Sequence, residues 1–241
     1  MGEVETDQPL GAFRPRNRAQ HLAWLLADMP NAWRHRFRSF RDRAAPASFA
    51  EGTRRPVVIV PGVYETWHYL RPLATALNDD GHPVTIVSDL GINRRSIERS
   101  AELVWTQLVT RDLRDIAIVG HSKGGLVGKQ LLTVQDAREP HRIDRLIALA
   151  SPFHGSGMAR LAPTRDLRMF LPDDPVVTRL DADTSRDACI TSIYPAFDPH
   201  IPEGSRLNGA RANIEIPIVG HFRILEDERA IDAVVAAVDA P

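Results

Sequence analysis

At 241 residues, with 43% hydrophobic content and a formal net charge of -1, the chain is sized for one ordinary domain with a substantial core. That balance excludes a disordered or fibrous body and gives no global attraction to nucleic acid. Cys189 is the single cysteine, which excludes an internal disulfide and a multi-cysteine metal site. It is expected as a buried thiol at the head of an apolar run. Lys123 and Lys129 are the only lysines, a bias read as genomic base composition rather than mechanism.

Residues 1–54 differ in composition from the rest of the chain and are expected to form an N-terminal helical arm and linker. Eight arginines between Arg14 and Arg43 face only Asp28 and Asp42, interleaved with Trp24, Trp33, Phe37 and Phe40. Leu22, Leu25, Leu26 and Met29 suit a short amphipathic helix, which Pro30 should end. The arm has two readings: a helix that contacts a membrane surface or partner, or a cover whose aromatics pack on the core while its arginines face water. The second is preferred. Residues 43–55 read as a linker. The first residues carry no apolar segment of signal-peptide type, and Met1-Gly2 with Thr6 matches an acylation pattern only formally. No apolar run approaches the roughly 18 residues of a spanning helix, so the expected location is the cytoplasm.

From Arg55 apolar runs alternate with helical periods, and residues 55–241 are expected to form one domain. The strand-like runs are 56–60, 83–87, 116–120, 146–150, 190–194 and 214–219. They are rich in β-branched residues and largely apolar, as in strands covered on both faces. Helical periods lie between them; in one, Ile97, Ala101, Val104, Trp105 and Leu108 share a face. The pattern predicts an α/β fold, a doubly wound and mostly parallel sheet of about six strands. Residues 152–187 break the rhythm with prolines and helical pieces. Their length predicts a lid or cap insertion, with Leu161, Leu167, Met169, Phe170 and Leu171 as its apolar underside.

Ser122 stands between Gly120 and Gly124, where an apolar strand gives way to a helical pattern. A serine hydroxyl becomes a useful nucleophile only when held exposed beside a base. A sharp strand-to-helix turn holds it so, and brings strand and helix so close that the residues two places either side must be small. The helix N-terminus also offers free N–H groups to a developing oxyanion. This placement supplies the context that a nucleophile elbow requires.

Here the chain resembles the α/β-hydrolase superfamily, and within it the small bacterial lipases and esterases, over roughly residues 55–240. The stretch "VVIVPGVYETW" is similar to the family's loop after its first central strand, with Pro61 where lipases often carry histidine. The resemblance implies an oxyanion hole from the backbone N–H groups of Val63 and Lys123. "LIALASPFHGSGMARL" resembles the lipase stretch after the nucleophile unit; its His154 is read as a loop residue, because the family places acid and then histidine further on. Among the later carboxylates, Asp198 lies just beyond a strand, where the family carries its acid. His221, in "IPIVGHFRIL", looks like the family's histidine before the last helix, and His200 is read as a loop residue. The implied triad is Ser122, Asp198 and His221.

The resemblance implies hydrolysis of carboxylic esters with lipophilic acyl chains through an acyl-enzyme. The same machinery serves a thioesterase or an acyltransferase, and a non-catalytic binding protein on this fold is the remote alternative. The expected partner is a small ester or lipid substrate, with membrane contact through the arm as the further option and no nucleic acid. No metal or cofactor is expected, since histidine and carboxylate clusters at ligand spacing are absent and no dinucleotide fingerprint follows a strand.

Overall fold

Six stretches rich in β-branched and apolar residues extend as strands: β1 (Val57–Val60), β2 (Val84–Ile86), β3 (Ile116–His121), β4 (Ile143–Leu149), β5 (Ile190–Phe197) and β6 (Ala212–Val219). They pair in parallel in the order β2-β1-β3-β4-β5-β6. A computed structural model describes residues 14–41, 46–135, 142–162 and 164–240, without the side chains of 32 and 35–41. The Met1-Gly2 pattern, Phe37, Phe40 and Asp42 lie outside the described residues or side chains.

Both faces of the sheet are covered, as the apolar strands led one to expect. Val57 and Ile59 point to one side, where Leu70, Leu73 and Leu77 meet Ala230, Val234 and Val238 of the last helix. Val58 and Val60 point to the other, against Val104, Leu108, Leu126 and Leu131. The helices involved are α2 (Arg71–Asp79) and α7 (Glu228–Val238) on the first face, with α3 (Ile97–Thr110) and α4 (Lys123–Val134) on the second. The chain leaves β1 toward β2 at one edge and returns to β3 on β1's other side. β1 and β3 therefore flank a switch point, and the crevice beyond their C-terminal ends is where open α/β sheets bind ligands.

Several local expectations are corrected. The arm is a continuous helix, α1 (Arg18–Arg41), which runs through Pro30 instead of ending there. Leu161 is 77% exposed and is no part of the underside of the 152–187 segment, whereas Phe170 is buried and Leu167, Met169 and Leu171 pack beside it. Cys189 is half-buried and free. In the expected linker, Phe49 is buried and meets Trp67 edge-on at 5.8 Å, so this segment joins the core. The 152–187 segment carries α5 (Arg165–Arg168) and α6 (Pro175–Ala182) and no strand. The two lysines, read as a compositional accident, are both buried in α4. Lys129 pairs with Asp187 at 2.7 Å, tying α4 to the end of that segment.

Candidate active site

The turn from β3 into α4 carries Ser122 at φ +53°, a left-handed backbone that costs a non-glycine residue on the order of 1–3 kcal/mol. The serine is held there because its neighbours are packed without slack. A Cβ on Gly120 would stand 2.5 Å from the Gly124 carbonyl carbon, and one on Gly124 would overlap the Val60 carbonyl oxygen. Both glycines are thus required for the close approach the sequence suggested. The Ser122 N–H donates to the Leu149 carbonyl at 2.8 Å, pinning the elbow to β4. Lys123 opens α4, where main-chain N–H groups have no intrahelical acceptor.

The loop after β1 is shaped by a residue that sequence reasoning missed. Glu65 reaches back and its Oε2 accepts the Gly62 N–H at 2.7 Å. Its carboxylate also meets His121 Nδ1, at 2.8 Å through Oε1. A Cβ at Gly62 would collide with that carboxylate. Val63 is carried on this turn and lines one cavity with Ser122 and His221. The Lys123 ammonium is buried behind the same loop, donating to Asn93 O (2.8 Å), Asn93 Oδ1 (3.0 Å), Ser100 Oγ (3.0 Å) and the Arg95 carbonyl. Asn93 in turn donates to the Pro61 carbonyl at 2.7 Å. Burial pushes the Lys123 amine down to about 7.

Asp198 and His221 meet as the resemblance implied. Asp198 Oδ2 lies 2.7 Å from His221 Nδ1, while Oδ1 accepts the N–H groups of His200 and Ile201 at 2.8 and 3.1 Å. All of the carboxylate is thereby engaged, and both side chains are buried. Burial opposes charge on each, yet their attraction prevails: Asp198 lies below the usual carboxylate range, and His221 lies above the usual histidine range, with Glu65 and Asp28 adding to the effect. The Nδ1 contact leaves His221 Nε2 as the nitrogen available to Ser122.

A second residue missed from the sequence comes from α1. Asp28 is buried, and its Oδ2 accepts the His221 N–H at 2.7 Å and the Phe222 N–H at 3.1 Å. A Cβ on Gly220 would strike its carboxylate, so the glycine before the histidine makes room for Asp28. The signal was one of only two acids among eight arginines, on a helix whose docking face no periodicity revealed. His200, expected as a loop residue, lines the cavity, with its ring 5.1 Å from that of His221. Burial, then the charge of His221, hold its imidazole down to about 4. His154 is a loop residue as expected, held between Asp181 and the Arg206 carbonyl.

The cavity has a volume of about 330 Å³, within the range of small-molecule sites. Its walls are chiefly apolar, with Met29 from α1 on one side and Met158, Leu167 and Phe170 of the 152–187 segment on the other. Tyr64, next to Val63, ties that segment to the loop: its hydroxyl lies 3.0 Å from both Thr164 Oγ1 and Asp166 Oδ2. Among the described residues, Glu65, His121 and His221 bring metal-ligating atoms within 4.8 Å of one another. Hydrogen bonds with protein groups engage both oxygens of Glu65, both nitrogens of His121 and Nδ1 of His221, so of these atoms His221 Nε2 is the one they leave available.

Solved structures of similar architecture decide the fold. A monoacylglycerol lipase from Paleococcus ferrophilus superposes with a TM-score of 0.58 at 16% identity, covering 79% of this chain and 96% of that one. The mature lipase BlEst2 of Bacillus licheniformis also gives 0.58, at 15% identity over 78% of this chain and 92% of its own. The chain has the α/β-hydrolase fold. The family model described as a PGAP1-like alpha/beta domain matches residues 85–161 of this chain, a stretch that includes Ser122 but not Asp198 or His221. Among curated proteins, lysosomal thioesterase PPT2 of Rattus norvegicus is 30% identical over 137 residues, 53% of this chain and 44% of that protein. The Bos taurus protein is 32% identical over 54% of this chain and 42% of its own length. The chain thus matches less than half the length of these curated relatives. No helix among the described residues is long and apolar enough to cross a membrane.

Proposed function

We propose that this chain is a serine hydrolase that cleaves carboxylic esters of lipophilic acyl chains. The observation that carries the reading is the 2.7 Å contact between Asp198 Oδ2 and Nδ1 of His221, which lines an apolar cavity together with Ser122. In this reading neutral His221 takes the proton of Ser122 through Nε2 as the serine oxygen attacks the ester carbonyl. The oxyanion that forms accepts hydrogen bonds from the Val63 and Lys123 N–H groups. Collapse expels the alcohol, which takes the proton from His221, and leaves Ser122 acylated. Water then attacks the acyl-enzyme, giving its proton to the same base, and the acid departs from a regenerated serine. Asp198 holds the ring in the tautomer with Nδ1 protonated and stabilises the imidazolium in each half-reaction.

A second reading is favoured by the curated relatives, which are thioesterases by name. The same sequence of steps expels a thiol in place of an alcohol. Parallel series of p-nitrophenyl esters and of acyl-coenzyme A thioesters, from acetyl to palmitoyl, separate the two. Oxygen-ester cleavage that rises with chain length and vanishes in Ser122→Ala supports the first reading. Faster thioester cleavage, equally dependent on Ser122, supports the second. Hydrolysis of neither class by the folded protein contradicts both.

A further inference from the structure

Helix α1 docks through a mixed face, with Trp24 and Leu25 half-buried beside the buried Asp28, and leaves much of its apolar side bare. Its inward face presents His21, Trp24 and Asp28: His21 Nε2 meets the Pro199 carbonyl at 2.8 Å, Trp24 packs on Phe197 at 5.4 Å, and Asp28 is buried. Its outward face carries Leu22, Leu26, Met29 and Trp33, at helical spacings of four, three and four. These are 55%, 60%, 37% and 57% exposed. A surface helix normally buries such a stripe and turns its polar residues to water. Here an apolar row of four large residues is left bare, more than the scattered exposure that needs no explanation.

Position and charge identify the occupant. Met29 belongs to the stripe and also lines the cavity that holds Ser122, so the bare face runs to the mouth of an apolar chamber. Leu161, 77% exposed, stands next to Ala162, which lines the same cavity. Arg14, Arg16 and Arg18 are exposed at the start of the helix. Residues 14–43 hold eight arginines and two acids, and one of those acids, Asp28, is turned inward. Bare leucine and tryptophan on a helix rich in arginine are the features of a helix that lies in a lipid–water interface. Surplus arginine favours anionic headgroups over neutral ones.

We propose that the outward face of α1 seats this protein on an anionic lipid surface, with the mouth of the cavity held against the bilayer. Leu22, Leu26 and Trp33 enter the acyl boundary, Arg14, Arg16 and Arg18 meet headgroup phosphates, and a lipid-borne acyl group passes beside Met29 without crossing bulk water. Delivery of substrate rests on the proposed hydrolase activity; seating on the membrane does not.

Sedimentation of the full chain with vesicles tests this, comparing phosphatidylcholine alone with equimolar phosphatidylcholine and phosphatidylglycerol. The wild type should partition onto the anionic vesicles, with a blue shift of tryptophan emission that is absent in Trp33→Phe. Leu22→Asp/Leu26→Asp, at positions bare in the structure, should lower partitioning by roughly tenfold or more while leaving hydrolysis of a water-soluble acetyl ester unchanged. No partitioning by the wild type overturns the proposal, as does equal partitioning by the variant. A wild-type dimer that the same double substitution dissociates, without vesicle binding, assigns the face to a second copy and also overturns it. If every ester and thioester is left intact but anionic vesicles are bound, the hydrolase reading falls and the docking surface stands.

Discussion

Asp28 Oδ2 accepts the backbone N–H of His221 at 2.7 Å, although 193 residues separate them in sequence. The turn that presents the proposed base is therefore built from both ends of the chain, and helix α1 is part of the site rather than an appendage to it. A buried carboxylate accepting two main-chain N–H groups forms charge-assisted bonds, and their loss frees the turn to move.

Asp28→Ala should lower kcat by roughly 10- to 100-fold, the cost of about an ångström of misplacement at a reacting group. KM should change little, since Asp28 does not line the cavity. Asp28→Asn keeps one acceptor oxygen and should lose less. Steady-state kinetics beside a thermal melt checks this. A fall in melting temperature with kcat intact would reduce Asp28 to a structural anchor.

The acid limb of kcat/KM should reflect His221. The ring must be neutral to accept the serine proton, and its pKa is raised by Asp198 against the opposing effect of burial. Activity is therefore expected to fall as pH drops through a value above the ordinary histidine pKa of about 6.5. His200, held down to about 4, stays neutral over that interval and should add no second inflection. Asp198→Asn removes the group that raises His221, so the limb should shift to lower pH and kcat should fall on the order of 10⁴-fold.

Much of this arrangement was legible in the sequence. Ser122 announced itself because an elbow imposes small residues at fixed spacing, and the parallel sheet because β-branched runs alternate with helical periods. The order of Ser122, Asp198 and His221 follows a pattern that survives without close homology. Glu65 and Asp28 were hidden for a physical reason: each bonds main-chain N–H groups that any residue carries, and the glycines that make room for them, Gly62 and Gly220, read equally well as ordinary turn residues. The continuation of α1 past Pro30 was also unreadable. A proline costs a helix one hydrogen bond, which local pattern registers, but Asp28, Trp24 and His21 fix the helix on the core through contacts with residues near 200 and 221. The burial of both lysines belongs to the same class, since their partners Asn93 and Asp187 lie far off in sequence.

Gly124→Ala should destabilise the fold by about 2 kcal/mol or more, because the added methyl meets the Val60 carbonyl, which is fixed in the sheet. The melting temperature should drop by on the order of 5 °C in a domain of this size. Calorimetry of the variant checks the claim, and an unchanged melt would mean that strand and helix are not in close contact at the elbow.

The Lys129–Asp187 pair, 2.7 Å apart with both side chains buried, predicts non-additivity. Lys129→Met alone strands a buried carboxylate and should cost about 3–5 kcal/mol, whereas adding Asp187→Leu should recover most of it. Denaturant unfolding of the four proteins in the cycle gives the coupling. Additive losses would show that the two charges do not act as a unit.

The central claim is that Ser122 is a nucleophile activated by His221. Intact-protein mass spectrometry after treatment with a fluorophosphonate tests it most directly, because the reagent phosphonylates an activated serine and requires no knowledge of the natural substrate. One adduct, mapped to Ser122, absent from Ser122→Ala and strongly slowed in His221→Ala, is the expected result. No adduct on the folded wild type, or an adduct that persists in Ser122→Ala, would contradict it.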